Sequence, residues 1–248
     1  MANWGGRTGA GFGSASSRTD REEITALVVI AVITVLLWHS PYGGYLLYPF
    51  TILSTWFHEM GHGLAAMAFG HEFERLVIYP DGSGYALHLA EGDPPRIAMA
   101  SIAAAGLLGP TVAGCLMILA SRTQRATKVA LAILGAVLLG STLIWVRSMT
   151  GWLVLPALGA FSLWLAFFAR AQHKHFAVQF IGVQGCISIY RDFGYMFSEG
   201  GMLGGMPQVS DTGHIAQALF LPYWFWGGVI SAMIAAMVFW SLRFAHRR

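Results

Sequence analysis

The sequence predicts an all-α membrane protein: a polytopic bundle of about six to seven transmembrane helices, with a short β-hairpin after the second. Three observations lead there. Only 11% of the 248 residues are charged and 56% are hydrophobic, whereas a soluble domain carries about 25% charged residues. The mean hydropathy is +0.58. The apolar residues also fall into blocks close to the roughly 20 residues that a helix needs to cross a hydrocarbon core.

The elements follow in chain order. Residues 1–21 are rich in Gly, Ser and Arg and are expected to form a disordered tail, with residues 22–248 forming one polytopic domain. The first apolar block, 24–38, ends in His39-Ser40-Pro41 without the small-residue pattern of a cleaved signal, so it is expected to remain as a span. Further blocks cover about 45–69, 97–120, 129–146, 152–169, 176–193 and 215–242. Helices are expected throughout, because lipid offers no partner for backbone N–H and C=O groups. Between the second and third blocks, residues 73–80 and 85–89 are rich in β-branched and aromatic residues. They flank Asp81-Gly82-Ser83-Gly84, which predicts strand, turn, strand with Asp81 serving the turn. In the third block, Ala103-Ala104-Ala105-Gly106 and Gly109-Pro110 supply small residues that let helix backbones approach closely.

The formal net charge of +3 is scattered over termini and loops, with no basic stripe that would suit nucleic acid. Lys and Arg divide almost equally between the two sides of a seven-span chain, so they assign no orientation. A multi-pass protein of the plasma membrane, with the lipid bilayer as its surroundings, is the expectation. Cys115 and Cys186 lie in apolar segments without metal-binding spacing and are read as packing residues.

The second block holds the residues that carry chemistry. Trp56-Phe57-His58-Glu59-Met60-Gly61-His62-Gly63 places His58 and His62 one helical turn apart on one face, where both imidazoles reach one metal. Glu59 stands beside them, placed to take a proton from water that the metal activates. Ionisable residues inside an apolar helix are costly, and function is the usual reason for keeping them. The pattern points to amide hydrolysis with Zn2+ as cofactor; a purely structural polar cluster is the competing reading. His39, His71, His88, His173, His175 and His214 lie at block ends or in loops and are read as ordinary solvated side chains.

The run from Phe57 to Gly63, the strand pair with Gly82-Ser83-Gly84, and the helix with Gly106 and Gly109-Pro110 together resemble the site-2 protease family. These are intramembrane zinc metalloproteases, and the likeness is to their compact bacterial and plant branch without appended domains. It runs from about Tyr45 to the end of the chain. The resemblance implies that His58 and His62 ligate zinc, that Glu59 is the catalytic base, and that the strand pair holds an extended substrate segment by edge pairing. It also implies a third ligand, an Asp from a later helix in a Leu-Asp-Gly context, a tripeptide absent here. Asp192 and Asp211 are the two candidates. Asp192 is preferred on depth, since the second and sixth helices run in the same direction. Asp211 matches only if the Gly-rich connection before it folds back; otherwise it, or Ser210, caps the helix that follows.

The expected function is hydrolysis of a peptide bond in or near a transmembrane segment of a membrane-protein substrate. The alternatives are a catalytically inactive homologue that binds or escorts membrane clients, and a metal-handling transporter. A different intramembrane protease architecture would take a late Glu as ligand, for which Glu199 in a Gly-rich loop is the candidate.

Overall fold

Pro41 disfavours helical backbone in the residue before it, and helix α1 (Phe12–Trp38) stops three residues short of it. Helix α2 (Gly43–Ala68) starts immediately beyond, and the two meet at a bend of 115°. The computed structural model describes residues 12–203 and 206–245, without the side chains of residues 12–23, Asp192 and Leu203. Of the tail expected at 1–21, residues 1–11 lie outside the described residues, and residues 12–21 are the start of α1.

After α2 come strands β1 (Glu72–Ile78) and β2 (Gly84–Leu89), then helices α3 (Arg96–Ala120), α4 (Gln124–Ile144), α5 (Met149–Phe168) and α6 (Ala171–Met196). Strands β3 (Gly200–Leu203) and β4 (Met206–Val209) precede the short helix α7 (Asp211–Leu219) and the final helix α8 (Tyr223–Ala245). By length and composition α3, α4, α5 and α8 can each cross a membrane, and the bent α1–α2 pair makes a fifth if it forms one span. The expected six to seven spans are thus not confirmed; the count is four or five. Two causes account for the difference. Helix α6 carries His173, Lys174, His175, Gln179, Gln184 and Arg191, which dilute its hydropathy. Helices α1 and α2 are long and apolar enough only as one bent pair, which merges two expected spans into one; the break at Phe220 (φ 71°) before Pro222 separates α7 from α8 but leaves α8 a span by itself.

The first hairpin forms where the sequence places it. Strands β1 and β2 pair antiparallel, with Ile78 opposite Gly84. In the turn, Asp81 Oδ1 accepts from the Ser83 amide (2.9 Å) and hydroxyl (2.7 Å), which holds the Asp81 carboxyl below its usual range. Two side chains of α2 fasten this turn to the helix. Thr55 Oγ1 donates to the Gly82 carbonyl (2.6 Å), and Tyr48 donates to the Pro80 carbonyl (2.9 Å). The outer edge of β1 is occupied: the Leu76 amide donates to Trp145 O and the Arg147 amide to Leu76 O, both at 2.8 Å. Strand β2 has no strand partner on its other edge among the described residues.

Two apolar clusters flank the α2–α3 pair. On one side Ile52, Trp56 and Met60 of α2 pack with Leu76 of β1 and with Leu138 of α4, and Trp56 Nε1 donates to Ser141 Oγ (3.0 Å). On the other, Ala103 and Leu107 of α3 pack with Ile215 of α7 and Ile230 of α8. Helices α2 and α3 touch backbone to backbone, because a Cβ at Gly61 would collide with the Ala105 carbonyl. Gly61→Ala should therefore lower the thermal unfolding temperature in detergent, through an overpacking cost of about 1–3 kcal/mol. Gly44→Ala, with open space around it, should leave that temperature unchanged or slightly raised. Equal unfolding temperatures for the two variants would contradict the close approach.

Candidate metal centre

Helix α2 delivers three side chains to one place. His58 and His62 project from the same face, and Glu59 beside them is 4% exposed. His62 Nδ1 lies 2.9 Å from the Ile102 carbonyl of α3. A carbonyl only accepts, so Nδ1 carries the proton and a neutral His62 keeps its lone pair on Nε2. That Nε2 stands 3.0 Å from His58 Nε2. The ring is held against α3 because position 106 is glycine: a Cβ there would overlap the His62 imidazole.

The carboxylate that joins them comes from Asp211, the first residue of α7. Its Oδ2 lies 3.0 Å from His58 Nε2 and its Oδ1 lies 3.4 Å from His62 Nε2. The start of α7 is fixed independently of this contact. Ser210 caps the helix by accepting from the Gly213 amide (3.1 Å), and its hydroxyl donates to Ser198 O (2.6 Å). Thr212 donates to Met196 O at the end of α6 (2.9 Å). With Ser210 serving as the cap, the Asp211 side chain is left to face the histidines.

The donor set fits a metal ion. Ligands of a four-coordinate zinc at about 2.0–2.2 Å stand roughly 3.3–3.5 Å apart, close to the 3.0–3.4 Å separations here. Asp211 Oδ2 is buried and makes no aligned hydrogen bond despite its nearness to His58. A lone pair on His62 Nε2 and a carboxylate oxygen turned on the same point are what a shared cation would satisfy. Among the described residues, His58, His62 and Asp211 are the one group of three or more candidate ligand side chains within such reach.

A cavity of about 300 Å³ opens on this group. Glu59 lines it together with Ala86 and His88 of β2, Gln208 of β4 and His214 of α7. The Ala86 backbone amide is within hydrogen-bonding reach of the Glu59 carboxylate. A smaller cavity of about 180 Å³ adjoins it and shares His58, Glu59, Gly84, Tyr195 and Gln208. Residues of both hairpins thus line one cleft, and β2 there has no second strand partner among the described residues.

His58, Glu59 and His62 lie together as the helical spacing requires. Depth prefers Asp192 unless the Gly-rich connection before Asp211 folds back; β3 and β4 do fold back there, and Asp211 stands beside the histidines. The side chain of Asp192 lies outside the described residues. Glu199 is not part of the three-residue group. His88 and His214, read from sequence as ordinary solvated residues, both line the cavity. A signal existed for each: His214 follows Asp211 by three residues on one helix face, and His88 alternates with Gly84 and Ala86 along β2. Burial, with His71 Nδ1 3.0 Å from its own Nδ1, pushes the His88 imidazole below its usual pKa. Gly106→Ala should displace His62 and sharply lower the metal retained after purification while far-UV circular dichroism stays unchanged; wild-type metal content in that variant would refute the packing of α3 against the ring.

Residues 26–241 match the family model described as Peptidase M50B-like. No match appears among curated proteins or solved structures. The family match covers nearly the whole chain, from the described part of α1 to the last turns of α8, and includes all three donor residues. The chain therefore belongs to the Peptidase M50B-like family, within the site-2 protease family.

Proposed function

We propose that this protein is a zinc-dependent endopeptidase that cleaves a peptide bond in or near a transmembrane segment of a membrane-protein substrate. The observation that carries this reading is the convergence of His58, His62 and Asp211 beside Glu59, in a cleft bordered by a free strand edge. Zinc held by those three side chains would supply Lewis acidity, lowering the pKa of water and polarising the scissile carbonyl. Glu59 then has two tasks. Its carboxylate takes a proton from the attacking water and afterwards delivers it to the leaving amine. The Ala86 amide holds that carboxylate toward the cavity.

Substrate binding follows from the same geometry. A peptide bond inside a helix is shielded, and unwinding it in an apolar setting strands its backbone N–H and C=O groups. Beyond the Ala86 amide that Glu59 takes, the edge of β2 without a strand partner among the described residues offers ladder hydrogen bonds to such an extended segment and lays it across Glu59. Nothing in the site favours the escort or transporter readings, neither of which needs a buried carboxylate beside the metal donors.

Glu59→Gln should retain zinc and lose cleavage by at least a hundredfold, the scale of a lost general base. Wild-type turnover in that variant would end the mechanism. Asp211→Ala should lose zinc by elemental analysis, whereas Asp192→Asn should keep it. The reverse pattern would move the third ligand to Asp192.

A further inference from the structure

At the far end of α3, about 28 Å along the helix from Ile102, a cavity of about 960 Å³ opens among the ends of α3 and α8 and the starts of α4 and α6. Arg122, Arg125, Lys128, Lys174 and His175 line it. The chain has two lysines, and both are here. No Asp or Glu occurs between Asp93 and Asp192 or after Asp211, so the segments that build the cavity carry no acid. Arg125, Lys128 and Lys174 form no ion pair with a described residue. Lys128 lies 5.2 Å from the centre of the Phe167 ring, and Thr123 caps α4 by accepting from the Ala126 amide (3.1 Å). The positive end of α4 therefore adds to the side-chain charge.

Several cations crowded around one cavity repel one another unless an anion joins them. The place selects the anion. The cavity sits where α3 ends and α4 begins, both helices of membrane-spanning length, so in a bilayer it would fall at the level of the lipid headgroups. Exposed Val129, Ile133 and Phe167 continue from it along the apolar flank, where acyl chains would lie. Basic pockets between transmembrane helices take phosphate-bearing lipid headgroups in this way. We propose that this cavity is a binding site for the phosphate of an anionic phospholipid, with Arg125, Lys128 and Lys174 as its principal contacts. The inference does not depend on the peptidase reading.

The test uses the full chain in detergent micelles, titrated with phosphatidylglycerol or phosphatidylcholine and read by native mass spectrometry. Phosphatidylglycerol should be retained in preference. Removing two charges in K128Q/K174Q should weaken that retention roughly thirtyfold, at about fivefold per charge. K128R/K174R should preserve it, and Arg147→Gln, at the other end of α4, should have no effect. Should K128Q/K174Q fail to fold, Arg125→Gln replaces it with an expected loss of about fivefold. Equal retention of the two lipids, or unchanged retention in the folded Gln variants, overturns the proposal. Displacement of the lipid by inorganic phosphate at equal concentration also overturns it, assigning the cavity to a soluble anion.

Discussion

The hydrogen bond from His62 Nδ1–H to the Ile102 carbonyl is the constraint on which the rest of the site depends. It ties an imidazole of α2 to the backbone of α3 and turns the Nε2 lone pair toward His58 and Asp211. The bond can form only if the two helices approach backbone to backbone. Gly61 and Gly106 permit that approach: a Cβ at the first would meet Ala105 O, and a Cβ at the second would occupy the space of the His62 ring. The small-residue run in α3 is thus as much a part of this site as the three donor side chains are. The apolar clusters on either side press the pair together and keep the ring in place.

The third donor arrives from far along the chain, and its position is over-determined. Between α6 and α7 the β3–β4 hairpin turns the backbone around, with Gly200 opposite Val209. Ser210 and Thr212 then bind carbonyls at 198 and 196, so the start of α7 is anchored on both sides of Asp211. A carboxylate held by its neighbours in this way needs no adjustment to face the histidines, which is the preorganisation a metal site requires. The first hairpin is anchored in the same manner, by Thr55 and Tyr48 of α2, so β2 and Glu59 keep a fixed relation.

Much of this was legible in the sequence, for identifiable reasons. A one-turn His spacing inside an apolar helix is a local pattern and survived translation into structure, as did the Asp81–Gly84 turn. The span count did not. Apolar blocks register hydropathy but not how neighbouring helices join, and the bent α1–α2 pair makes one span of two apolar blocks. The polar residues of α6 are plain in the sequence, and they leave that helix outside the set apolar enough to span. The choice between Asp192 and Asp211 turned on whether a Gly-rich connection folds back, which rests on pairing between two four-residue strands too short to signal themselves. His88 and His214 stand at block ends, where solvation is the default for histidine, and only the face each shares with its own element brings them to the cavity.

His58, His62 and Asp211 are proposed to share one zinc ion. The most direct test is a crystal structure of the purified protein with anomalous data collected on either side of the zinc absorption edge. A single strong peak about 2.0–2.2 Å from His58 Nε2, His62 Nε2 and an Asp211 carboxylate oxygen is expected. A zinc peak coordinated by Asp192, or located away from α2 altogether, would contradict it.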